Sequence, residues 1–562
     1  MKFSRDRFGD LAASVFALIL ILLASPPVAA QDRVPRLEPA ECPFERGVNS
    51  ITNPGRRETE MTQSRNQLFG VAIYACAIVF VLMTSTFASA QDRVPRLEPA
   101  DCPLERGDWA KDAKIECKWL VVPESRGDPK SRTIRLAVVV FRARPPDGTP
   151  PLVMLHGGPG DSGIRVFSRP AVRFSQAREV VIHDQRGNGF SEPKLCPEFN
   201  DVERESQKLK TQQEIKKFRE ASIRKCVASL DARIERSAYN TDASAADLVD
   251  LRHALGYSSW DIFGFSYGAR LAQEAMRRDP NGIRSVVLYK PVTRAPDTYA
   301  EIALSTERAF ERVFADCNAQ PQCRTAFPTL EKDFYEIYDD LNRNPLSVQM
   351  DQDPSKTPVV LDGKRFVDRI RNDVIMPGDP VKLVRLPLLL NEFRRGDKAR
   401  AARILIGYNP RVIIVSDIVI AWLVDCYDNY GKQFRAKRKA INGQIRAPFR
   451  RDLDEECKLW QRRFANASDS QPIRSDIPTL ILTGRYDDRT PTEHAKRIAS
   501  TLTRAYVIEF PSDAHGPPPR GCHMQIMRQF WTNPFTEPDA SCVKSIPPLR
   551  FITSWQDSRG GP

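Results

Sequence analysis

The sequence predicts an α/β fold in which a mostly parallel central sheet carries an inserted helical cap. From about residue 134, short apolar strand-like segments alternate with helical patterns, which is typical of a parallel sheet. Between about residues 292 and 475 the chain becomes charged and mainly helical, and at Pro478 the strand pattern returns. This return favours an inserted cap over an independent domain at 292–475. Insertions of this kind commonly cover or shape a functional site.

Individual elements follow from apolar periodicity and turn residues. Strands are expected at 134–142, 151–155, 179–183, 260–265, 283–289, 478–483 and 505–510. Helices are expected at 241–255, 268–278, 492–502 and 521–530, with a further charged helical segment at 203–225. Leu248, Leu251 and Leu255 lie on one face of helix 241–255, and Thr241 or Asp242 is predicted to cap its N-terminus.

Composition and charge indicate an ordinary globular protein. The chain has 562 residues and a net charge of +13, which by itself is compatible with a nucleic-acid or anionic partner. The basic residues are scattered, however, with the densest run between Lys432 and Arg451, and no nucleic-acid motif accompanies them. We therefore expect a solvated basic face and no nucleic-acid partner.

The N-terminal region contains two segments that resemble secretory signals. Residues 1–30 have a basic start, an apolar run and Val28-Ala29-Ala30 before Gln31; residues 61–90 repeat this pattern and end in Ala88-Ser89-Ala90. The sequences that follow, 31–47 and 91–107, differ only at Glu41/Asp101 and Phe44/Leu104. The simplest interpretation is a duplicated leader or an upstream start, with Met61 as the working start and Gln91 as the mature N-terminus.

This interpretation gives the predicted division of the chain. It runs as an upstream leader at 1–30, a partial duplicate of the mature start at 31–60, a second signal peptide at 61–90, a core at 91–291 and 476–545, the cap at 292–475 and a flexible tail at 546–562. The alternative is cleavage after Ala30, in which case the apolar segment 69–88 stays as a membrane anchor. The preferred interpretation predicts an exported protein, periplasmic or extracellular.

Cysteine usage agrees with export. Of the twelve cysteines, Cys42 and Cys76 lie before residue 91. The other ten form sequence-local couples: Cys102/Cys117, Cys196/Cys226, Cys317/Cys323, Cys426/Cys457 and Cys522/Cys542. Disulfides between neighbours are our hypothesis, since sequence does not determine connectivity; ten free thiols would be unusual in an exported chain. No cysteine or histidine spacing resembles a zinc site, and neither a metal nor a cofactor is expected.

The most informative motif is Gly264-Phe265-Ser266-Tyr267-Gly268. It follows a strand-like segment and precedes a helical pattern, which is the context of a nucleophile elbow. In such a turn only small residues fit two positions to either side of the serine. The hydroxyl of Ser266 then stands above the sheet edge, where it can act as a nucleophile. An incidental serine in a glycine-rich turn is the alternative, and the remaining motifs decide between the two.

A serine nucleophile needs a base, and the base needs an orienting acid. In enzymes with such an elbow the chain order is serine, acid, histidine. His515 lies in a loop directly after strand 505–510, whereas His494 and His523 lie in helical patterns, so His515 is the predicted base. Asp487 follows strand 478–483 and is the predicted acid, with Asp488 as the alternative.

The developing negative charge of an acyl-transfer reaction needs backbone N–H donors. One is expected from Tyr267, directly after the nucleophile. The other is expected from the loop His156-Gly157-Gly158-Pro159-Gly160 after strand 151–155, where glycines let the backbone approach a substrate.

Over roughly residues 100–545 the chain resembles the exported proline iminopeptidase and tripeptidyl aminopeptidase group of the α/β-hydrolases. The motifs that carry the resemblance are His156-Gly157-Gly158-Pro159-Gly160, Asp184-Gln185-Arg186-Gly187-Asn188-Gly189-Phe190-Ser191, Gly264-Phe265-Ser266-Tyr267-Gly268, Gly484-Arg485-Tyr486-Asp487 and Ala514-His515-Gly516. The resemblance implies an α/β-hydrolase fold and a serine aminopeptidase that removes residues from peptides with a free N-terminus. It assigns Ser266, His515 and Asp487 as nucleophile, base and acid, and the backbone N–H groups of Gly158 and Tyr267 as the oxyanion donors. A carboxylic ester hydrolase on the same scaffold is the alternative.

Three departures bear on the substrate. Asp488 stands where the family usually has proline, and Tyr289-Lys290-Pro291 stands where it tends to have an acidic turn. The acidic cap motifs of intracellular relatives are not recognisable. Asp428 occupies a position where exported relatives often have a carboxylate near the pocket, and it is our candidate for binding the substrate's N-terminal amine. A salt-bridged structural aspartate is the alternative role for it.

Overall fold

The computed structural model describes residues 94–556, except 106, 144–148, 207–208, 210, 296–297, 351–357, 377–378, 408–416, 430–438, 440–444, 447–456, 461–470 and 517–518. The predicted leaders, the duplicated start, the apolar segment 69–88 and most of the basic run at 432–451 lie outside the described residues.

The described strands form one large sheet and one small hairpin. Their bounds are β1 Arg96–Pro99, β2 Ile115–Pro123, β3 Thr133–Phe141, β4 Leu152–Leu155, β5 Val180–His183, β6 Trp260–Phe265, β7 Ile283–Tyr289, β8 Leu346–Val348, β9 Val359–Leu361, β10 Thr479–Gly484 and β11 Ala505–Phe510. The large sheet has the order β1-β2-β3-β5-β4-β6-β7-β10-β11, and β8 pairs with β9.

The sheet is parallel over most of its width, as predicted. Strands β5, β4, β6, β7, β10 and β11 pair in parallel, and β1, β2 and β3 form an antiparallel edge. Strands β1 and β2 were not predicted; the first of them, Arg96–Pro99, is short and largely polar. Since the carboxyl ends of parallel strands meet at one edge, the loops after β4, β6, β10 and β11 converge there.

Helices cover both faces of this sheet and fill the long connections. Their bounds are Gly163–Phe174, Phe199–Ser206, Gln212–Asp231, Thr241–Ala254, Tyr267–Arg278, Thr298–Ala319, Pro321–Ala326, Leu330–Arg343, Gly363–Arg369, Pro380–Val384, Leu386–Arg395, Lys398–Gly407, Ile418–Asn429, Thr492–Ala499, Cys522–Thr532 and Ser541–Lys544, with a π-helical turn at Ile370–Ile375 and 3₁₀ turns at Asp108–Ala110, Arg236–Ala238 and Pro280–Gly282. None of the described helices combines the length and the apolar character needed to cross a membrane.

One helix cap differs from the prediction. Helix Thr241–Ala254 is capped by Asn240, whose side chain accepts a hydrogen bond from the Ala243 N–H at 2.8 Å. Thr241 is the first helical residue, and Asp242 forms an ion pair with Arg278. Asn, Thr and Asp are all favoured at the N-cap position. The residue type therefore does not distinguish positions 240, 241 and 242, and the backbone conformation determines which of them caps the helix.

Side chains alternate between two cores, one on each face of the sheet. Val153 and Leu155 of β4 pack with helices Thr241–Ala254 and Tyr267–Arg278, whereas Leu152 and Met154 pack with helices Gly163–Phe174 and Cys522–Thr532. This is the period of two expected for a strand buried on both faces. The sheet is therefore the middle layer of three, and it provides a rigid support for the loops at its carboxyl edge.

The chain between β7 and β10 is mainly helical in its described part, and these two strands are neighbours that pair in parallel. It supplies most of a further apolar core around Phe334, Leu389 and Phe393. Leu549 and Phe551 are buried against the same core, so the described part of segment 546–562 is packed and differs from the expected flexible tail.

Candidate active site

Ser266 lies at the sharp turn between β6 and the helix Tyr267–Arg278. Its backbone has φ 55° and ψ −119°, a conformation that non-glycine residues rarely adopt. A Cβ on Gly264 would come within 2.7 Å of the Gly268 carbonyl oxygen, and one on Gly268 within 2.1 Å of the Leu155 carbonyl oxygen. There is therefore no room for a side chain at Gly264 or Gly268. The turn places Ser266 at the edge of the sheet, as the motif predicts.

His515 lies between Ser266 and Asp487 and contacts both. Its Nε2 is 3.0 Å from the Ser266 Oγ, and its Nδ1 is 3.0 Å from the nearer carboxylate oxygen of Asp487. With a proton on Nδ1, that nitrogen donates to Asp487 and Nε2 accepts from the serine hydroxyl. The three residues come from the ends of β6, β10 and β11, and they form the continuous hydrogen-bonded chain that a serine nucleophile needs.

Asp487 is fully buried, and several donors satisfy its carboxylate. Oδ1 accepts from the backbone N–H groups of Arg489 and Thr490 at 2.9 and 2.8 Å, and Oδ2 accepts from the Thr490 hydroxyl at 2.6 Å. Burial raises the pKa of Asp487, but the charge and hydrogen bond of His515, together with the Thr490 hydrogen bonds, outweigh it and hold the pKa below its usual range. The carboxylate is therefore ionised at neutral pH.

The neighbouring Asp488 points to different partners. Its Oδ2 forms an ion pair with Arg371 Nε at 2.7 Å and accepts from the Thr306 hydroxyl at 3.2 Å. Of the two aspartates that the sequence left open, Asp487 is thus the one that contacts His515. The other late histidines are engaged elsewhere: His494 with Glu301 at 3.2 Å and His523 with Asp513 at 3.0 Å.

The glycine loop after β4 lies directly against the serine. A Cβ on Gly157 would come within 2.7 Å of the Ser266 Cβ and 3.2 Å of its Oγ. Gly158, the predicted N–H donor, has φ 108°, a left-handed conformation that favours glycine. The sequence analysis selected Gly158 and did not predict that Gly157 lies against Ser266. Two adjacent glycines in a sequence do not indicate which of them faces the serine.

His156, which opens this loop, is part of the support of the site. It is buried, packs edge-on against Phe167 and lies 5.4 Å from the ring centre of Phe265. Burial, together with the nearby charge of His515, lowers the pKa of His156 to about 3. His156 is therefore neutral at physiological pH and fills space beneath the loop.

Tyr267 and Asp428 meet behind the elbow. The Tyr267 hydroxyl is 2.7 Å from the Thr241 hydroxyl, which in turn donates to the Asp428 carboxylate. Asp428 also faces Arg270, with Oδ2 3.6 Å from Nε. Burial raises the pKa of Asp428, against the opposing charge of Arg270. The carboxylate already has a cationic partner in this structure, and its role as an amine anchor stays a prediction.

The described cysteines are joined in neighbouring couples. The five disulfides are Cys102–Cys117, Cys196–Cys226, Cys317–Cys323, Cys426–Cys457 and Cys522–Cys542. Disulfides of this number are typical of proteins outside the reducing cytosol. Among the residues that the structure describes, no three His, Cys, Asp or Glu side chains are grouped as metal ligands would be.

Comparisons with known proteins point to the same scaffold. A family model described as "alpha/beta hydrolase fold" matches residues 150–374, and one described as "TAP-like protein" matches residues 445–542.

Curated relatives match at low identity. The serine protease Hip1 of Mycobacterium tuberculosis is 27% identical over 224 residues, which is 37% of this chain and 42% of the relative. A tripeptidyl aminopeptidase of Streptomyces coelicolor is 26% identical over 251 residues, 41% of this chain and 45% of the relative. A proline iminopeptidase of Neisseria gonorrhoeae is 28% identical over 146 residues, 25% of this chain and 33% of the relative. Each match spans less than half of the relative's length. With the sheet order, the elbow and these matches together, the chain has an α/β-hydrolase fold and carries one segment similar to the alpha/beta hydrolase family and one similar to TAP-like proteins.

Proposed function

We propose that this chain is an exported serine aminopeptidase that releases N-terminal residues or short peptides from peptides with a free N-terminus. The observation that carries the proposal is the hydrogen-bonded chain from Ser266 through His515 to Asp487, with 3.0 Å at both of its links. In this proposal Ser266 is the nucleophile, His515 the general base and Asp487 the orienting acid.

The reaction follows from these positions. The Ser266 Oγ attacks the scissile carbonyl carbon while His515 Nε2 takes the hydroxyl proton. When the tetrahedral intermediate collapses, the C–N bond breaks and His515 gives that proton to the leaving amine, which leaves an acyl-enzyme on Ser266. Water then attacks the ester carbonyl while His515 Nε2 takes a proton from it; the ester C–O bond breaks, His515 returns the proton to the Ser266 Oγ, and the carboxylic acid product leaves. The ionised Asp487 accepts a hydrogen bond from the Nδ1–H of His515, and its charge stabilises the imidazolium that forms in both steps.

The oxyanion of the tetrahedral intermediate needs donors on the opposite side of the serine from His515. The backbone N–H groups of Gly158 and Tyr267 are the proposed donors, since Tyr267 follows the nucleophile and the glycine loop lies against it. Loss of one such donor typically costs about 10²- to 10³-fold in kcat.

The helical segment 292–475 is the proposed cap, and contacts to three loops of the site support it. Asp417 donates its backbone N–H to the Gly160 carbonyl at 2.9 Å, and the Met376 carbonyl accepts from the Gly516 N–H at 2.9 Å. Arg371 pairs with Asp488 next to the acid. Residues of this segment thus contact the glycine loop, the base loop and the acid loop, as a cap that shapes the substrate pocket would.

The peptide substrate rests on the relatives, which are named as a serine protease, a tripeptidyl aminopeptidase and proline iminopeptidases. Fold alone does not fix the substrate, so a carboxylic ester hydrolase is the second candidate. The test uses protein that begins at Gln91. Proline β-naphthylamide, a tripeptide amide, its N-blocked counterpart and a p-nitrophenyl ester are assayed side by side. We expect turnover of the free amides, little of the blocked one, and a loss of about 10⁴-fold or more in Ser266→Ala. Ester turnover without amide turnover would contradict the peptidase assignment.

Export rests on the five disulfides and on the signal-like leaders. The periplasm or the extracellular space is the proposed location, with Gln91 as the mature N-terminus. N-terminal sequencing of the exported protein tests this: a start at Gln91 is expected, and a start at Gln31 would favour retention of segment 69–88.

A further inference from the structure

A lysine without a role in the proposed chemistry lies beneath the candidate site. Lys290 directly follows β7, and its side chain is 0% exposed. Its backbone has φ 50°, a left-handed conformation that is uncommon for a residue with a side chain. A buried ammonium is costly unless it is paired and hydrogen-bonded, so its partners indicate what it does.

The hydrogen-bond acceptor and the ion-pair partner of the ammonium both belong to the loop of His515, and its Nζ also lies 4.7 Å from the ring centre of Tyr289. The Nζ of Lys290 donates to the Gly516 carbonyl oxygen at 2.8 Å and forms an ion pair with the Asp513 Oδ2 at 3.1 Å. His523 Nε2 is hydrogen-bonded to that same carboxylate oxygen at 3.0 Å. One cation thus holds a residue on each side of the proposed base.

Two carboxylates offset part of the effect of burial on the Lys290 ammonium. Burial lowers the pKa of Lys290, and the charges of Asp513 and Asp487 oppose this effect without reversing it. Burial likewise raises the pKa of Asp513, but the His523 hydrogen bond and the Lys290 charge outweigh it and keep that carboxyl below its usual range. Lys290 and Asp513 thus form an ion pair, and replacing either residue by a neutral one leaves the charge of the other uncompensated.

The backbone of Tyr289 and Lys290 is also hydrogen-bonded to the strand before Asp487 and to Ser266. The Lys290 N–H donates to the Leu482 carbonyl at 2.7 Å, in the strand that leads to Asp487. The Ser266 N–H donates to the Tyr289 carbonyl at 3.0 Å. The segment Tyr289–Lys290 therefore joins the ends of β6, β10 and the loop after β11, where the three residues must meet.

We propose that Lys290 is a positioning residue for His515: its ammonium holds Asp513 and Gly516 and thereby fixes the imidazole between Ser266 and Asp487. This inference rests on the proposed triad and adds the group that sets its geometry. It acts through the loop, since the Nζ contacts the backbone and Asp513 rather than the imidazole. A displacement of about 1 Å at a reacting group can cost about 100-fold in rate.

The test measures the rate at which a fluorophosphonate labels Ser266, because labelling needs the base but no particular peptide. Protein beginning at Gln91 is prepared as wild type and as Lys290→Met, which keeps an unbranched apolar stem. We expect labelling per folded molecule to fall by about 100-fold, with kcat falling in proportion and KM changing less than about twofold. If Lys290→Met does not fold, Asp513→Asn removes the charge pair with less change of shape, and labelling is expected to fall in it as well.

Arg252→Met is the matched control. Arg252 is another buried cation, paired with Asp279 at 2.7 Å beyond the opposite end of β7. Its loss is expected to lower thermal stability while labelling per folded molecule stays at the wild-type rate. Wild-type labelling in folded Lys290→Met, or in Asp513→Asn where the first variant does not fold, would overturn the inference. Labelling of the wild type without peptide turnover would overturn only the aminopeptidase function, and a wild type that is not labelled at Ser266 would overturn both.

Discussion

Arg371 and Asp488 form a buried ion pair between the helical insertion and the loop of the proposed acid. The Nε of Arg371 is 2.7 Å from the Oδ2 of Asp488, and both side chains are almost completely removed from solvent. Arg371 Nε also donates to the Thr306 hydroxyl at 3.0 Å, so two segments of the insertion reach the residue next to Asp487. The pair couples the packing of the helical insertion to the loop of the proposed acid.

Breaking this pair on one side should destabilise the protein strongly. Arg371→Met leaves the Asp488 carboxylate buried without its cation, which typically costs about 3–5 kcal/mol of unfolding free energy. Denaturant unfolding of the single variant and of the double variant Arg371→Met/Asp488→Asn measures this. We expect the double variant to recover most of the loss, because no uncompensated charge remains. Equal losses in both variants would contradict a charge-pairing role.

A methyl group on Gly157 should block the serine without unfolding the chain. The added Cβ would lie 2.7 Å from the Ser266 Cβ and 3.2 Å from its Oγ. We expect Gly157→Ala to label with a fluorophosphonate at least about tenfold more slowly, because the nucleophile must shift from its place beside His515. Gly127→Ala is the control, since a Cβ there meets nothing within 4 Å. Wild-type labelling of Gly157→Ala would mean that the loop relaxes away from the serine.

Stability should fall in acid because of His183. Burial, opposed by the charge of Asp247, lowers the pKa of His183 to about 4, below its ordinary value of 6.5. Between pH 6.5 and 4 the unfolded chain therefore binds a proton that the folded chain does not, so stability falls as the pH falls. The contribution is about 1.4 kcal/mol per pH unit within this window. We expect His183→Gln to flatten the dependence of unfolding free energy on pH by this amount. Parallel curves for the variant and the wild type would contradict the assignment.

The disulfides should contribute to stability according to the loops they close. Cys426–Cys457 spans 31 residues and Cys317–Cys323 spans 6. The chain-entropy relation gives about 4 and about 2 kcal/mol for these loops. We therefore expect replacement of both cysteines by alanine to lower the unfolding free energy more for the first disulfide than for the second. The reverse order would show that strain or residual structure, rather than loop entropy, dominates.

Local patterns were sufficient where the determinant is local. The strand-elbow-helix around Ser266 is encoded by apolar residues on one side, helical spacing on the other and glycines at two fixed positions. His515 could be placed because it follows the last strand, and the parallel strand ends meet at one edge. Strand β1 could not be placed, because Arg96–Pro99 is short and largely polar and becomes a strand by pairing with β2.

What the sequence determined by itself is the α/β scaffold, the elbow and the identity of its serine and histidine. These depend on the spacing of residues that are close together in the sequence. The tertiary structure decided which of two adjacent aspartates faces His515, which glycine touches Ser266 and what holds the loop of His515. Those choices depend on Arg371, on the close approach of β4 to β6 and on Lys290, residues that are distant in sequence. Contacts between distant residues arise from packing, and no local pattern encodes them.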